Sequence, residues 1–404
     1  MNQTRRSLLP VCLSLLLLAA LLATGCGGDA DDQSEPEPEV TLATYNVGLA
    51  RGFVPYATAR TEPVARAVAD IEADAVCVQE AFLVQDEEGN WTEEQIEAIT
   101  EAASESFPHT YKEITEPEED PNGEPACTQA ESTPLRTCVE ANCADVPDDQ
   151  LSGCALDNCQ TEFGNTSSTC QQCIAANLGK SIDNIIAACR GGSASLTSNG
   201  HNGLLLLSKH PLKTTEFTRF DSTVATRIAL HATIDHESMG TMDLYCTHLT
   251  ANLTDLEYPG EMFDSYEEEQ AAQIDDLLAY IDETASGERA VLMGDMNTGP
   301  AKGELAAEFP DNYQKFVDAG LVNPYIDQME PACTFCGSNT LNEGSGKKAI
   351  DHVFFDFGAD LNSQIRVDFT ERFGDETRSI ETSEGTKDLH LSDHYGVRTS
   401  IELP

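Results

Sequence analysis

Six short motifs place polar residues at the ends of apolar, strand-like runs. They read TYNVG, VCVQE, YCTHL, GDMN, IDHVFF and LSDHYGV, and their polar residues are Asn46, Glu80, His248, Asp295, Asn297, Asp351, Asp393 and His394. Buried strands normally exclude such groups because burial strips them of water. Each motif alone fits a turn, a helix cap or a strand-end histidine. Six along one chain, all with metal-ligand or acid–base chemistry, predict one site for phosphoester cleavage.

Three of these residues offer oxygen atoms that suit a divalent cation. Glu80, Asn46 and Asp393 carry carboxylate or amide oxygens, the hard donors that Mg2+ or Mn2+ prefers. An ion bound there offsets charge on the phosphoryl oxygens and stabilises the leaving oxygen. We therefore expect Mg2+, or alternatively Mn2+, as the cofactor.

The remaining polar residues suit proton transfer and phosphate binding. Asp295 and Asn297 are two apart and therefore share a side of their strand end. Asp295 can orient or deprotonate the attacking water, and Asn297 can hold a phosphoryl oxygen. His394 is suited to contact the phosphate or donate a proton, and Asp351 can fix its tautomer and raise its pKa. His248 is expected on the opposite side of the phosphate.

The motif set resembles the DNase I-like endonuclease/exonuclease/phosphatase superfamily, which includes nucleases, inositol-polyphosphate phosphatases and neutral sphingomyelinases. The resemblance runs from about Leu42 to Ile401 and is interrupted by one insertion. It implies that Glu80 is the main metal ligand, that Asp351 pairs with His394, and that His394 and His248 grip the scissile phosphate.

The same resemblance implies an α+β fold, a four-layer α/β/β/α sandwich of two packed β-sheets. Apolar periodicity agrees, because it predicts strands with interspersed helices. The predicted strands are 40–47, 75–79, 203–208, 227–234, 241–248, 289–294, 349–355 and 395–402, and the predicted helices are 61–74, 91–106 and 265–285.

Several further polar residues need separate interpretations. In the family the segment before strand 203–208 borders the site, so Asn202 is a candidate substrate contact, as is Asn252 in the loop after His248. His210 and His236 lie in turn-like sequences, and we expect both to be exposed. His352 follows Asp351 in a strand, so its side chain is expected to face the other way.

Residues 1–26 are typical of a bacterial lipoprotein signal. Arg5-Arg6 precedes an apolar run over 8–22, and the sequence then reads Ala-Thr-Gly before Cys26. We expect lipidation at Cys26 and a lipid-anchored location in the cell envelope, either periplasmic or surface-exposed and secreted. Twin-arginine export is an alternative to the general route. A membrane-spanning anchor is less favoured because the run is short.

The rest of the chain divides into a tether, a catalytic domain and an insertion. Residues 27–39 are acidic and contain proline, which predicts a disordered tether. Residues 40–404 form the predicted endonuclease/exonuclease/phosphatase domain, interrupted over 114–200 by a cysteine-rich helical insertion. We predict four disulfides there, since the chain is expected to be exported. The cysteines concerned are Cys127, Cys138, Cys143, Cys154, Cys159, Cys170, Cys173 and Cys189.

Other interpretations of the cysteines remain open. Within the insertion, only Cys170 and Cys173 have a spacing that suits zinc. The insertion's role is either a substrate lid or a docking site for a partner. Cys333-x-x-Cys336 is expected to form a loop-tightening disulfide rather than a redox pair. Cys77 and Cys246 are either buried thiols or a pair, if their strands are neighbours.

The charge of the chain bears on its substrate. The net charge is −47, from 23 basic and 70 acidic residues, and no lysine or arginine lies between Arg227 and Arg289. Nucleic-acid binders follow phosphates with basic side chains, so this surface favours less anionic substrates. Solubility in a saline habitat explains the acidity equally well.

The leading hypothesis is an exported, lipid-anchored, metal-dependent phosphodiesterase that cleaves a lipid headgroup, as a sphingomyelinase or phospholipase C does. An extracellular DNase I-like endonuclease is a close alternative, and an inositol phosphatase comes third. A catalytically silent adhesion protein is the rival class. The expected partners are the phosphodiester substrate and, through the N-terminal lipid, a membrane. No protein partner is predicted, although the insertion has the size to dock one.

Overall fold

The structure, a computed structural model, describes residues 39–85, 91–114, 124–147, 150–175, 177–191, 202–223, 225–253, 258, 262–287, 289–342 and 344–403. Cys26, the predicted signal and nearly all of the predicted tether lie outside these residues. Within the described part of the chain, no helix has the length and apolar character needed to cross a membrane.

The strands follow the apolar runs of the sequence. They are β1 Glu39–Asn46, β2 Ala75–Gln79, β3 Val84–Gln85, β4 Trp91–Thr92, β5 His109–Tyr111, β6 Leu205–Ser208, β7 Thr215–Phe220, β8 Arg227–His236, β9 Gly240–His248, β10 Ala290–Asp295, β11 Phe335–Cys336, β12 Lys347–Lys348, β13 Asp351–Asp356, β14 Arg366–Phe373, β15 Arg378–Thr382, β16 Gly385–Leu389 and β17 Gly396–Glu402.

Two large sheets pack against each other. The six-stranded sheet has the order β14-β17-β1-β2-β6-β5, and the five-stranded sheet has the order β13-β10-β9-β8-β7. Alternate residues of a strand face opposite sides, so Leu42, Ala75 and Leu244 lie in the core between the sheets. Val76 and Val78 face outward into a second apolar core. The predicted α+β class with two packed sheets is confirmed.

Helices pack on the outer faces of the sheets and also build the insertion, which has a core of its own. They are α1 Ala57–Ala69, α2 Glu94–Ala103, α3 Gln129–Asn142, α4 Leu151–Gly164, α5 Ser168–Ala175, α6 Ile182–Arg190, α7 Tyr266–Thr284, α8 Pro310–Asp318, α9 Pro324–Asp327 and α10 Gly358–Asn362. α1 and α2 pack on the six-stranded sheet, and α7 buries Ile274 and Leu277. The Ser265 hydroxyl accepts a hydrogen bond from the Glu268 N–H, which caps α7 close to its predicted start.

Some elements differ from the sequence-based predictions. The helix predicted over 61–74 is α1, which begins at Ala57 and ends at Ala69. β14 and the hairpin of β15 and β16 were not predicted, because most of their residues are exposed or half-exposed and lack a clear apolar alternation.

A disulfide joins the two main sheets. Cys77 of β2 and Cys246 of β9 are bonded, with 5.3 Å between their Cα atoms, and both are fully buried. Of the two alternatives for these cysteines, the paired one is therefore correct. Cys77 lies three residues before Glu80 and Cys246 two before His248, so the bond links strands that carry two of the predicted site residues.

Four disulfides hold the insertion together. Cys138–Cys159 and Cys143–Cys154 join α3 to α4 as an antiparallel pair, while Cys127–Cys170 and Cys173–Cys189 attach α5 to the start of the insertion and to α6. All eight sulfur atoms are used, so the prediction of four disulfides is confirmed and the zinc alternative is wrong. The predicted Cys333–Cys336 disulfide is also present.

Candidate active site

The predicted site residues meet at one edge of the sandwich. Parallel pairing sets Asn46 beside Gln79, directly before Glu80, and sets His248 beside Asp295. Antiparallel pairing then sets Asp295 beside Asp351, the first residue of β13. The loop before β17 supplies Asp393 and His394. The sheet registers therefore bring together residues that are far apart in sequence.

Asn46 connects the two sheets within the site. Its Nδ2 donates to Glu80 Oε1 at 3.1 Å and to Asp295 Oδ2 at 2.9 Å, and its Oδ1 accepts from the Gly48 N–H at 3.0 Å. Turning the amide over would set its NH2 group against the Gly48 N–H, so this orientation is the favoured one. Asn46 thus faces the carboxylates through nitrogen, and only the second lone pair of its oxygen is left for a metal.

Glu80 has the properties of a metal ligand. Its Oε2 is buried and makes no hydrogen bond to any described residue, and its backbone has a φ of 63°. Burial raises the pKa of Glu80, and the negative charge of Asp393 raises it further. Asp393 itself lies so close to Gly48 that a Cβ at Gly48 would collide with its Oδ1. Only glycine fits at this position, which also has a φ of 56°.

His394 forms a buried ion pair with Asp351. Its Nδ1 lies 3.0 Å from Asp351 Oδ2 and 3.2 Å from Oδ1. Burial disfavours the charged ring, but the carboxylates of Asp351 and Asp295 outweigh it and raise the pKa of His394 well above its usual value. The Asp351 carboxylate accepts the hydrogen bond from Nδ1–H. The ring's Nε2 therefore faces the site, 3.8 Å from Asp295 Oδ2.

His248 has the opposite electrostatic character. Burial lowers its pKa well below the usual value, and the positive charges of Arg227 and His394 lower it further. Its Nε2 lies 3.5 Å from Asp295 Oδ2, while its Nδ1 is buried and makes no hydrogen bond within the described part of the chain. The two histidines therefore flank Asp295, one charged and one neutral.

Asp295 and Asn297 form the turn that ends β10. The Asn297 N–H donates to Asp295 Oδ1 at 2.9 Å, and Asn297 adopts a φ of 49°, which is uncommon for a non-glycine residue. Asn297 Nδ2 donates to the Leu249 carbonyl at 3.1 Å, leaving its second N–H for another acceptor. Burial and the nearby Asp351 raise the pKa of Asp295 to about 7.

Arg227 is a residue of the site that the motif search missed. It is the first residue of β8, it is buried, and its Nε makes no hydrogen bond to the residues that the structure describes. Burial lowers its pKa, against the opposing charges of Asp295 and Glu80. An arginine at the start of the apolar run RIALHATI was the available signal, because a strand of this type normally excludes a charge.

Asn202 and Asn252 are placed differently. Asn252 lines the cleft, and its amide donates to the Glu308 carboxylate. Asn202 Nδ2 donates to the Glu113 carbonyl at 2.7 Å, and its Oδ1 accepts from the Leu204 N–H at 2.9 Å. Asn202 is not among the described residues that line the cleft. Its side chain supports the backbone, and substrate contact by either asparagine stays a prediction.

His210, His236 and His352 lie outside the site. The prediction that His210 and His236 are exposed is wrong: His236 is buried and His210 half-buried, since their rings contact each other 4.9 Å apart beside Asp74. His236 Nδ1 accepts hydrogen bonds from the Ser238 and Met239 N–H groups. The neutral ring therefore carries its proton on Nε2, and it presents an N–H group rather than a lone pair towards Asp74. His352 bonds the Thr298 carbonyl, on the side away from Asp351.

The site opens into a cleft with a volume of about 1150 Å³. One end is lined by the catalytic candidates, among them Glu80, His248, Asp295 and His394. The cleft then extends past residues 49–56 and reaches the insertion. Its volume is larger than a single phosphate group requires.

Comparison with known proteins identifies the family. A model described as the endonuclease/exonuclease/phosphatase family matches residues 43–394, which is most of the sequence. The chain belongs to this family. A search of curated proteins found no match. Members of the family hydrolyse phosphoric esters, as phosphodiesterases, nucleases and phosphatases, and the chain is accordingly assigned to this class of hydrolases.

Solved structures support the same assignment at the level of the fold. Staphylococcus aureus beta toxin 275-280 is 12% identical, with a TM-score of 0.53, and the match covers 89% of this chain and 99% of that one. A mutant of that toxin, crystallised with bound magnesium ions, has the same identity and coverage and a TM-score of 0.51. A family protein from Bacteroides thetaiotaomicron is 13% identical over 91% of this chain and 99% of its own, with a TM-score of 0.50. These likenesses show the DNase I-like fold.

The residues present fit the divalent metal that this family implies. The buried Oε2 of Glu80, which makes no hydrogen bond to the described residues, and the adjacent charge of Asp393 make an acidic pair suited to a cation. Oxygen donors of this kind suit Mg2+ or Mn2+. Glu80 and Asp393 would hold the ion, with Asn46 through its second lone pair. A bound ion there supplies charge neutralisation at the phosphoryl oxygens.

Proposed function

We propose that this family member is a divalent-metal-dependent phosphodiesterase. The observation that carries the proposal is the position of Asp295, whose Oδ2 lies 3.5 Å from His248 Nε2 and 3.8 Å from His394 Nε2. A carboxylate between two imidazoles can orient an attacking water and accept its proton. The raised pKa of Asp295, about 7, suits proton transfer near neutral pH.

The two histidines take different parts in this proposal. His394, held in its charged form by Asp351, binds a phosphoryl oxygen through Nε2–H and can protonate the leaving oxygen. His248 is neutral and contributes a hydrogen bond rather than a charge. Asn297 donates its second amide N–H to a phosphoryl oxygen, and Arg227 adds positive charge.

We further propose that the enzyme is exported, anchored through lipid at Cys26, and active on the phosphodiester of a lipid headgroup. Its charge of −47 repels polyanions. Two cations of the cleft are paired internally: Arg51 lies 3.2 Å from Glu94, and Lys348 is paired with Glu308. A lipid anchor holds the enzyme at a surface where headgroups are concentrated.

A substrate panel tests this proposal. Sphingomyelin, phosphatidylcholine, plasmid DNA and inositol phosphates are compared at matched Mg2+ and salt concentrations, with an EDTA control. We expect release of phosphocholine to exceed cleavage of DNA. Rapid plasmid nicking without phosphocholine release would favour the endonuclease instead. Absence of hydrolysis in the whole panel would leave the adhesion hypothesis.

A matched pair of variants separates the metal site from general effects of charge. Glu80→Gln removes the charge expected to hold the ion, and activity should fall by roughly two orders of magnitude or more. Glu72→Gln removes an equal charge from a residue that is 88% exposed at the surface, and should change little. Near-full activity of Glu80→Gln at low Mg2+ would show that the metal site is assigned wrongly.

A further inference from the structure

The insertion forms part of the catalytic cleft. Pro147, Ala175, Leu178 and Lys180 belong to it, and all four line the same cleft as Glu80 and Asp295. No family-wide motif predicts this arrangement, because the insertion interrupts the family's pattern. Whatever occupies the catalytic end and extends further along the cleft therefore meets the insertion.

Close backbone contact fixes this wall in place. A Cβ on Gly52 would lie 2.5 Å from Gly179 N, and one on Gly179 would lie 2.8 Å from Arg51 Cβ. Both glycines also have a positive φ, 87° and 82°. Larger residues are therefore excluded by the close contacts and by the backbone conformation. Lys180 Nζ lies 5.4 Å from the centre of the Trp91 ring and donates to Asn177 Oδ1 at 2.8 Å. Since disulfides stiffen the insertion, its wall has a fixed shape.

The chemistry of this end of the cleft is mainly apolar. Leu178 from the insertion is half-buried and lies in the same cleft as Phe53, Leu83 and Trp91. Phe53 is 53% exposed, so its ring is accessible to a ligand in the cleft. Of the two cations here, Arg51 is paired with Glu94, and burial lowers the pKa of Lys180. The lining therefore suits hydrocarbon better than a second phosphate.

We propose that the insertion and residues 49–56 form an apolar arm of the cleft that binds the hydrocarbon part of the substrate. We define this arm by Phe53, Leu83, Trp91 and Leu178. The proposal rests on the proposed lipid phosphodiesterase function and adds which part of the chain selects the substrate. The chemistry stays at the strand ends, and the arm sets the preference for chain length.

Trp91 makes the arm observable, because it is the only tryptophan in the sequence. Its fluorescence is titrated with hexyl-, octyl- and decylphosphocholine below their micelle concentrations. The protein is the full chain carrying His248→Ala, which prevents hydrolysis of the probe. We expect the dissociation constant to fall by up to about fourfold for each methylene that the arm buries. A dissociation constant independent of chain length would overturn the proposal.

Two leucines of the insertion supply a matched pair. Leu178→Asp introduces a charge into the arm, whereas Leu156→Asp introduces it at a residue that is 50% exposed and not among the described residues of the cleft. Leu178→Asp should abolish the dependence on chain length, and Leu156→Asp should keep it. Circular dichroism and disulfide mapping check the fold of both. Equal behaviour of the two variants would refute the arm.

The alternative occupant is a nucleic-acid strand, which would use Lys180. A short oligothymidylate that quenches Trp91 more strongly than decylphosphocholine does, with the effect lost in Lys180→Met, would replace the hydrocarbon arm by a strand-binding groove. Failures of the two proposals are distinguishable. Chain-length-dependent binding without any phosphodiester hydrolysis would contradict the proposed function alone. Hydrolysis of lipid with no chain-length dependence in binding would contradict the arm alone.

Discussion

Replacing Cys77 and Cys246 together by alanine removes the disulfide that joins the two main sheets. The bond closes a loop with a sequence separation of 169 residues, and loop-closure entropy for that length corresponds to about 5 kcal/mol at 25 °C. All four insertion disulfides lie within this loop, and the two that are not nested inside another shorten it, by separations of 43 and 16 residues. Because the entropy depends on the logarithm of length, the correction is only about 0.4 kcal/mol.

Packing adds a second contribution, since both sulfur atoms are fully buried. Cys77→Ala/Cys246→Val restores part of the lost volume, so its difference from the double-alanine variant measures the packing loss. Urea unfolding followed by circular dichroism gives the free energy of unfolding, and we expect a loss of about 4–5 kcal/mol in the valine-containing variant.

The Cys333–Cys336 disulfide is the matched control. It closes a separation of only 3 residues, so removing it by the same substitutions should cost about 1.5 kcal/mol. Equal losses in the two pairs, or free thiols at Cys77 and Cys246 in the native protein, would refute the reasoning. Since the bond precedes Glu80 and His248 on their strands, kcat/KM should also fall at temperatures where the double-alanine variant is folded.

Three further predictions concern the site and the insertion. Glu80→Gln should weaken Mg2+ binding measured by calorimetry, since the charged ligand is lost; unchanged affinity would contradict the metal assignment. Asp351→Asn should lower the pKa of His394, so the alkaline limb of kcat/KM should move to lower pH. The ion pair between Asp351 and His394 stabilises the fold fully at pH values below the ordinary histidine pKa. This stabilisation is lost as pH rises through the raised pKa of His394. The difference in unfolding free energy between wild type and variant should therefore shrink over that range. Deleting 117–195 should leave a folded core, since all four insertion disulfides are internal to this segment, but should remove the chain-length preference; a core that unfolds on deletion would contradict this.

The convergence of the site residues was predictable because each lies where an apolar strand begins or ends. A polar side chain at such a position has no polar neighbour in the apolar run to bond with, so it indicates a contact with a residue distant in sequence. The orientation of the Asn46 amide was not predictable, because it depends on the Gly48 N–H and on carboxylates from both sheets. Arg227 was missed because a lone arginine at a strand start resembles many exposed ones, and only burial distinguishes it.

The limits on predicting the fold have the same origin. β14, β15 and β16 are largely solvent-exposed, so apolar alternation carries little signal there. Disulfide connectivity depends on which strands and helices become neighbours, and spacing alone leaves it open. His236 is buried because its ring meets His210, which arrives from the other sheet. In each case the deciding contact is non-local.

Two different parts of the chain thus determine chemistry and selectivity. The catalytic candidates are fixed by sheet register, which a surface insertion does not alter. The insertion lines the cleft beside residues 49–56, and it is held there by glycine contacts and by its own disulfides. A fold of this kind can therefore exchange its substrate wall while it keeps one hydrolytic site. Grafting this insertion onto a family member that lacks it should transfer the chain-length preference and leave the metal requirement unchanged. A folded graft that gains no chain-length preference would show that the core alone selects the substrate.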